Sequence, residues 1–450
     1  MGTEQQIVYG VAEVERSGPP VDTSAPLQFT AERLRVWGAR AAFSLVDQGL
    51  FSGAGFLVNL LLARWLVPES YGAFAVAFAA FLFIAGFHNV LLLEPLTVMG
   101  PGRHSGNLPA YFRAQFRIHI LVVGWLALAG LLGGVAIWRV IPESPLVGAI
   151  FGGALMLPLL LLLWLVRRMC YVLQRPGLAV AGTTSYFVLI AAGLSALHHF
   201  GWATPFLSFL LMGVASLIAS GVLLVRIGFF RGPKVPSDIS WRSALRENWT
   251  YGRWLVGSTT LYSVSNQTQT YLVAAMLGLG AAGVLRAMQL PSLLMTQAVT
   301  AAGLLFLPAL SHDFGRGDMV RVRSKAAVVS ATLALVGLVF AALLVVVGSP
   351  LVRAMYSGKY ASQAWLIPLL GLIPVATGFS TGFSLALRAA RKPHYDLLAN
   401  AVAAPVSVVS AFLFVHWWGL AGAAASMILS FAVSGGVTFL NFHRCDWRTQ

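Results

Sequence analysis

Two stretches of this chain carry polar side chains inside long apolar runs, and their spacing suggests chemistry. Ser258, Tyr262, Ser265 and Gln269 recur at i, i+4, i+7 and i+11, which puts them on one face of a helix. Asn266, Gln267 and Thr270 crowd beside that face. Downstream, Arg286, Gln289, Thr296, Gln297 and Thr300 fall near a second stripe. Lipid tails cannot solvate such groups, so two neighbouring polar stripes point to a wet cavity. Hydrogen bonding between the helices themselves is the alternative for any single residue. A guanidinium such as that of Arg286 can grip a phosphate bidentately. Arg286 is also only a few residues into its run, so snorkelling to the outer headgroups is an equal reading.

A second set lies near the start of the chain. The run from Ala41 to Arg64 is long enough to span a bilayer, yet it holds Asp47, Gln48 and Asn59. A carboxylate at that depth costs at least about 2.5 kcal/mol and normally faces a protein interior or water. Asp47 could exchange a proton near neutral pH, or pair with Arg40 or Arg117. His88 reads as a proton relay or as an ordinary hydrogen-bonded interior group. Glu94-Pro95 reads as a gate and hinge: proline removes a backbone donor and can bend a helix, while Glu94 could meet a basic loop residue or sit among headgroups. Arg64, at the far end of the first run, is either a cavity cation or an interfacial anchor.

These residues must be positioned by membrane helices. Of 450 residues, 58% are hydrophobic and only 10% charged, against about 25% charged in soluble domains. Apolar runs of spanning length fall near 41–64, 73–98, 117–141, 147–166, 178–197, 204–226, 254–276, 284–309, 326–347, 365–387, 397–417 and 419–442. The net charge of +15 would suggest nucleic acid in a soluble protein. Here 25 of the 30 lysines and arginines fall in alternate connections, leaving Arg64, Arg139, Arg286, Arg353 and Lys359 on the other side. That alternation predicts twelve spans with both termini cytoplasmic and no nucleic-acid partner.

Residues 1–40 read as a cytoplasmic tail, since Met1–Thr30 lacks the apolar core of a signal peptide. Residues 41–226 form a first set of six spans, 227–253 a cytoplasmic linker, 254–442 a second six, and 443–450 a short tail. Pro233 and Pro236 break the linker; Ser240 can then cap a helix bearing Trp241, Leu245 and Trp249 on one stripe with Arg242 and Arg246 beside it. That pattern predicts a helix lying on anionic headgroups, or a solvated loop with anchoring tryptophans. The two halves look like copies. Residues 63–74 align without gaps to 274–285, matching Ala63 to Ala274, Leu66 to Leu277 and Gly72 to Gly283, and Gln174-Arg175-Pro176 echoes Arg391-Lys392-Pro393. The expected fold is an all-α integral membrane protein, with twelve transmembrane helices in two six-helix bundles related by a pseudo-two-fold axis along the membrane normal.

The run Leu45-Val46-Asp47-Gln48-Gly49-Leu50-Phe51-Ser52-Gly53, followed by Leu61 to Leu66 and Pro68-Glu69-Ser70-Tyr71-Gly72, resembles the opening of bacterial polysaccharide (O-antigen, Wzx-type) flippases. These belong to the MATE-like (MOP) transporter superfamily, and the resemblance spans Ala41 to Phe442. It implies a two-lobed transporter of the bacterial cytoplasmic (inner) membrane, moving a polyprenyl-pyrophosphate-linked oligosaccharide to the outer leaflet by alternating access. Under that reading Arg286, Gln289, Gln297, Asn266, Gln269, Tyr262 and Arg64 serve the substrate lumen. Asp47, placed like the first-span acid of related drug exporters, and His88 serve ion coupling. Glu94 and Pro95 form a gate. Membrane lipids and other polysaccharide-assembly proteins are the further partners implied.

No nucleotide-binding glycine loop, His-Glu-x-x-His or serine elbow is present in the sequence, and Cys170 and Cys445 lack metal-ligand spacing. No cofactor, catalytic residue or metal is expected. Two other functions share the composition. A proton- or sodium-coupled exporter of small molecules would favour an acid-lined apolar cavity. A membrane polysaccharide polymerase or ligase would usually need a long external loop, and the longest here, about 348–364, is short.

Overall fold

The computed structural model describes residues 31–230, 239–390, 392, 394–445 and 447, with side chains from residue 42 onward except Leu304. Residues 1–30 of the expected tail, Pro233, Lys234 and Pro236 of the linker, Arg391 and Pro393 of the echo motif, and 448–450 lie outside the described residues.

The described chain is helical throughout. The first half comprises α1 (Ala31–Trp65), α2 (Pro68–His88), a π-helical turn (Asn89–Leu93), α3 (Glu94–Gly102), α4 (Leu108–Val140), α5 (Pro145–Val172), α6 (Pro176–His199) and α7 (Pro205–Arg226). The second comprises α8 (Trp241–Leu277), α9 (Leu279–Leu304), α10 (Leu307–Gly315), α11 (Met319–Tyr356), α12 (Leu366–Leu370), α13 (Ile373–Ala389) and α14 (His394–Arg444). Proline recurs in the first turn, as at Pro68, Pro145, Pro176 and Pro205, where its missing N–H costs nothing and its fixed φ suits the helix. The hydroxyls of Ser144, Thr204 and Ser240 accept first-turn amides, satisfying donors that the helix leaves open.

Ten helical stretches among the described residues are long and apolar enough to cross a bilayer. Two features separate this from the twelve runs in the sequence. The run at 254–276 is the upper part of α8, whose polar stripe dilutes its hydropathy. The runs at 397–417 and 419–442 lie together in α14, broken at Gly419 by φ 57° and ψ −129°. The interfacial helix expected in the linker is also not a separate element. It is continuous with the seventh run, forming the first turns of the 37-residue α8. Likewise α1 starts at Ala31, so residues 31–40 are helical and continuous with the first run.

Helix pairing repeats between the halves. α1 packs on α6 as α8 packs on α14; α2 on α5 as α9 on α13; α4 on α5 as α11 on α13; α5 on α7 as α13 on α14. The halves meet where α1 and α2 contact α9, where α1 contacts α11, and where α8 leans back across α2, α3 and α4.

The closest approach joins the two glycines that the sequence alignment matched. A Cβ on Gly72 would run into the Leu279 carbonyl, and one on Gly283 into the Pro68 carbonyl. The contact is reciprocal, backbone against backbone, and no larger residue fits at either place. Gly72→Val is therefore expected to force α2 and α9 apart, lowering stability by about 1–3 kcal/mol as overpacking does; thermal unfolding of the purified protein measures it.

Candidate functional site

Arg286 of α9 meets the first half of the chain. Its Nε donates to Asn59 Oδ1 of α1 at 3.4 Å, and the Tyr71 hydroxyl of α2 donates to the same oxygen at 3.3 Å. Asn59 Nδ2 is tied back to the Gly55 carbonyl at 2.8 Å, so the amide oxygen is fixed toward Tyr71 and Arg286. The guanidinium carbon stands 5.9 Å from the centre of the Phe78 ring. No carboxylate among the described residues pairs with Arg286. A half-buried cation held by neutral groups attracts an anion, since its charge is little screened there.

One side of this cluster is closed. The Tyr356 hydroxyl donates to the Ala287 carbonyl at 2.7 Å, and the Tyr360 hydroxyl to the Ala63 carbonyl at 3.3 Å. Lys359 Nζ donates to the carbonyls of Arg64 at 2.7 Å and Leu66 at 2.6 Å, capping the end of α1 from across the molecule. Partial burial lowers the pKa of this lysine, which lies in the connection after α11. Arg64 itself is exposed at this rim, its Nη1 donating to the Ala354 carbonyl at 3.5 Å. Lys359→Ala removes two charge-assisted bonds and is expected to raise hydrogen exchange across residues 64–72, with little change elsewhere.

Toward the opposite end the surfaces of α1 and α9 stay exposed: Gln48 and Gly49 on one, Leu293, Leu294, Gln297 and Thr300 on the other. Tyr262 of α8 is 56% exposed, and among the described residues the Asn266 side chain bonds only to the Tyr262 carbonyl, at 2.7 Å. Arg286, Gln297, Tyr262 and Asn266 thus retain open surface. Gln269 and Gln289 do not. Gln269 is buried and donates to Ser407 of α14 at 2.9 Å, while buried Gln289 donates to the Met427 sulfur of α14 at 3.1 Å. Both tie helices of the second half together, which corrects their place on an open polar face.

Asp47 is fully buried within the first half. Arg167 of α5 donates to Oδ2 at 2.6 Å, the Tyr171 hydroxyl to the same oxygen at 2.5 Å, and the Thr183 hydroxyl of α6 to Oδ1. The side chain of Arg40 lies outside the described residues, and Arg117 is exposed and unpaired with Asp47. The partner is Arg167, whose guanidinium also stacks 3.9 Å from the Phe51 ring centre. By the charge alternation Arg167 would count among the basic residues of a connection, yet it occupies the last turns of α5, turned inward.

His88 is likewise partnered. Its Nε2 lies 3.0 Å from His119 Nδ1 of α4, and His119 Nε2 lies 3.1 Å from the Pro158 carbonyl. A carbonyl only accepts, so a neutral His119 donates through Nε2 and accepts at Nδ1 the hydrogen bond from the His88 Nε2–H. Glu94 makes no ion pair among the described residues; it accepts from Asn89 at 3.2 Å, and Arg168 reaches the same amide at 3.4 Å. Pro95 lies one residue beyond the π-turn Asn89–Leu93, after Glu94, so the helix is already widened where the hinge was expected. Of the nearby basic residues, Arg103 and His104 instead hold Glu247 of α8, at 2.9 Å and 3.0 Å. No cluster of metal-ligating side chains occurs among the described residues.

Residues 131–364, just over half of the chain, match a family model described as polysaccharide biosynthesis protein. The chain belongs to this polysaccharide biosynthesis family. No curated protein matches the sequence. Among solved structures, a multidrug resistance MATE family transporter of the MOP superfamily in an inward-facing conformation superposes with a TM-score of 0.70 at 13% identity, over 89% of this chain and 97% of that one. The lipid II flippase MurJ in an inward closed conformation gives 0.69 at 12% identity, over 89% and 87%. An outward-facing MATE family transporter gives 0.63 at 12% identity, over 90% and 94%. At these identities the likeness shows the fold alone: the chain is built like these multi-pass membrane proteins of the MATE and MurJ type, as the opening pair of spans led one to expect. This member of the polysaccharide biosynthesis family therefore carries an arginine with no acidic partner among the described residues inside a MATE-like fold.

Proposed function

We propose that the chain flips a polyprenyl-pyrophosphate-linked oligosaccharide from the inner to the outer leaflet for surface polysaccharide synthesis. Arg286 carries the reading. It is a cation without a counter-ion among the described residues, on the second half of the chain, held by Asn59 of the first, in a family named for polysaccharide biosynthesis. The pyrophosphate binds there, and the sugar lies along Tyr262, Asn266 and Gln297.

The repeated pairing of helices and the reciprocal Gly72–Gly283 contact support two six-helix halves, 41–226 and 254–442, related by a pseudo-two-fold axis along the membrane normal. Twelve spans follow if α8 crosses the membrane and α14 crosses twice about Gly419. The charge alternation supports cytoplasmic termini, with the Lys359 closure then at the outer face. An opening between the halves toward the inner side is in keeping with the higher TM-score against the inward-facing than against the outward-facing transporter. Alternating access requires the α2–α9 contact to part while the lower surfaces of α1 and α9 close.

Cation-coupled export of small molecules is the second reading, and buried Asp47 is the observation that favours it. Arg167 already balances that carboxylate, which weighs against it.

Proteoliposomes loaded with a polyprenyl-pyrophosphate oligosaccharide and probed with an external glycosidase decide between them. Protein-dependent exposure of the sugar is expected. No exposure with several glycans, together with proton-driven dye efflux, would move the chain to the exporter reading.

A further inference from the structure

The first turns of α8 do not merely pass the first half; they leave a groove on its outer flank. Ile118, Leu121, Val122 and Trp125 of α4 form one wall, Trp241 and Leu245 of α8 the other, enclosing about 260 Å³. The lining is predominantly apolar, from aliphatic and tryptophan side chains, and Trp125 is 70% exposed. Nothing in the described chain fills this space.

The rim of the groove is cationic. The Arg242 guanidinium lies 5.3 Å from the centre of the Trp241 ring, which lines the groove. Arg117 is exposed one turn before Leu121 on α4, and Arg246 is exposed next to Leu245 on α8. Among the described residues none of these three arginines has an acidic partner. Glu247, the nearest acid along α8, is held on another face of the helix by Arg103 and His104. The groove also receives the N-terminus of α8. Ser240 Oγ accepts the Ser243 amide at 3.1 Å, and the Ala244 amide bonds to the Ser240 carbonyl. The amides of Trp241 and Arg242 are left directed off the helix end, where the partial positive charge favours an anion. α4 is 33 residues long, more than the roughly 20 that cross the hydrocarbon core. Its first turns, with Arg117, therefore reach the headgroups while Leu121 and Trp125 enter the acyl region.

We propose that this groove binds one anionic phospholipid, its acyl chain against Leu121, Val122 and Trp125 and its phosphate between Arg117, Arg242 and the α8 N-terminus. A zwitterionic lipid offers the same chain but no net charge for the rim, so headgroup charge sets the preference. The bound lipid fills the gap between α4 and α8. It thereby holds the start of α8, the helix that runs on into the second half, against the first half. This site is separate from the cation at Arg286 and does not depend on what the chain transports.

Native mass spectrometry of the full-length, delipidated protein tests it, with phosphatidylglycerol, phosphatidylcholine and undecaprenyl phosphate titrated separately and in competition. Phosphatidylglycerol is expected to be retained at least about fivefold over phosphatidylcholine, on the scale of one or more cationic side chains at a lipid surface. The Arg117→Gln/Arg242→Gln variant is expected to erase that preference. Val122→Trp, which fills the groove and leaves the charges, is expected to reduce retention of phosphatidylglycerol. Circular dichroism melting of both variants checks that they fold. Equal retention of the two phospholipids, or unchanged preference in the folded variants, would overturn the proposal. So would displacement of phosphatidylglycerol by undecaprenyl phosphate at equal concentration, which would give the groove to an isoprenoid chain instead.

Discussion

Arg286→Ala is expected to reduce glycan translocation in proteoliposomes by ten- to a hundredfold while leaving the melting temperature unchanged or higher. The combination follows from the environment of the side chain. A charge-assisted bond to an anion contributes about 1.5–3 kcal/mol, and a guanidinium can make two in parallel, so its loss falls on the transported anion. The resting protein gains, because a half-buried cation with only Asn59 and the Phe78 ring for company is costly to desolvate. Arg286→Lys keeps the charge but not the fork and is expected to fall between. Translocation that persists in Arg286→Ala would discard this residue as the phosphate contact. A lowered melting temperature would instead mean that the arginine is a strut between the halves.

Much of this architecture can be read from the chain before any coordinates, because it rests on local signals. Bilayer thickness sets the length of each apolar run, the basic residues alternate from connection to connection, and proline marks helix starts. Even the α2–α9 crossing leaves a trace, since Gly72 and Gly283 align between the halves and only glycine permits that approach. The site is less legible, for a geometric reason. A polar stripe of helical period looks the same whether it faces water or another helix. Gln269 and Gln289 satisfy the pattern as well as Gln297 does, yet they bond to Ser407 and Met427 of α14, far along the sequence. Arg167 is hidden in a different way. Next to Arg168 near the end of an apolar run, it counts as a cytoplasmic charge, and only the packing of α5 on α1 and α6 shows that it turns inward. His119 lies among apolar residues of α4 without any signal tying it to His88. Lys359, Tyr356 and Tyr360 are equally silent, because their partners are backbone carbonyls, which every residue has.

Asp47→Ala is expected to destabilise the protein by about 3–5 kcal/mol, the usual consequence of leaving one member of a buried ion pair alone. Arg167 would keep its charge between α1, α5 and α6 with only the Phe51 ring and neutral hydroxyls near it. The double variant Asp47→Asn/Arg167→Gln removes both charges and keeps hydrogen-bonding groups in both positions. It is therefore expected to recover most of the loss, and a cycle of single and double variants in chemical denaturation measures the coupling. The same variants separate a structural role from ion coupling. If the pair is a clasp that holds the first half together, the double variant regains translocation along with stability, and an imposed proton or sodium gradient affects it as it affects the unaltered protein. If Asp47 releases Arg167 to bind a transported cation, the double variant is stable but loses its response to the gradient. The geometry favours the clasp. Both carboxylate oxygens are already occupied, by Arg167 and Tyr171 on one and Thr183 on the other, and a cation could enter only after those bonds had opened.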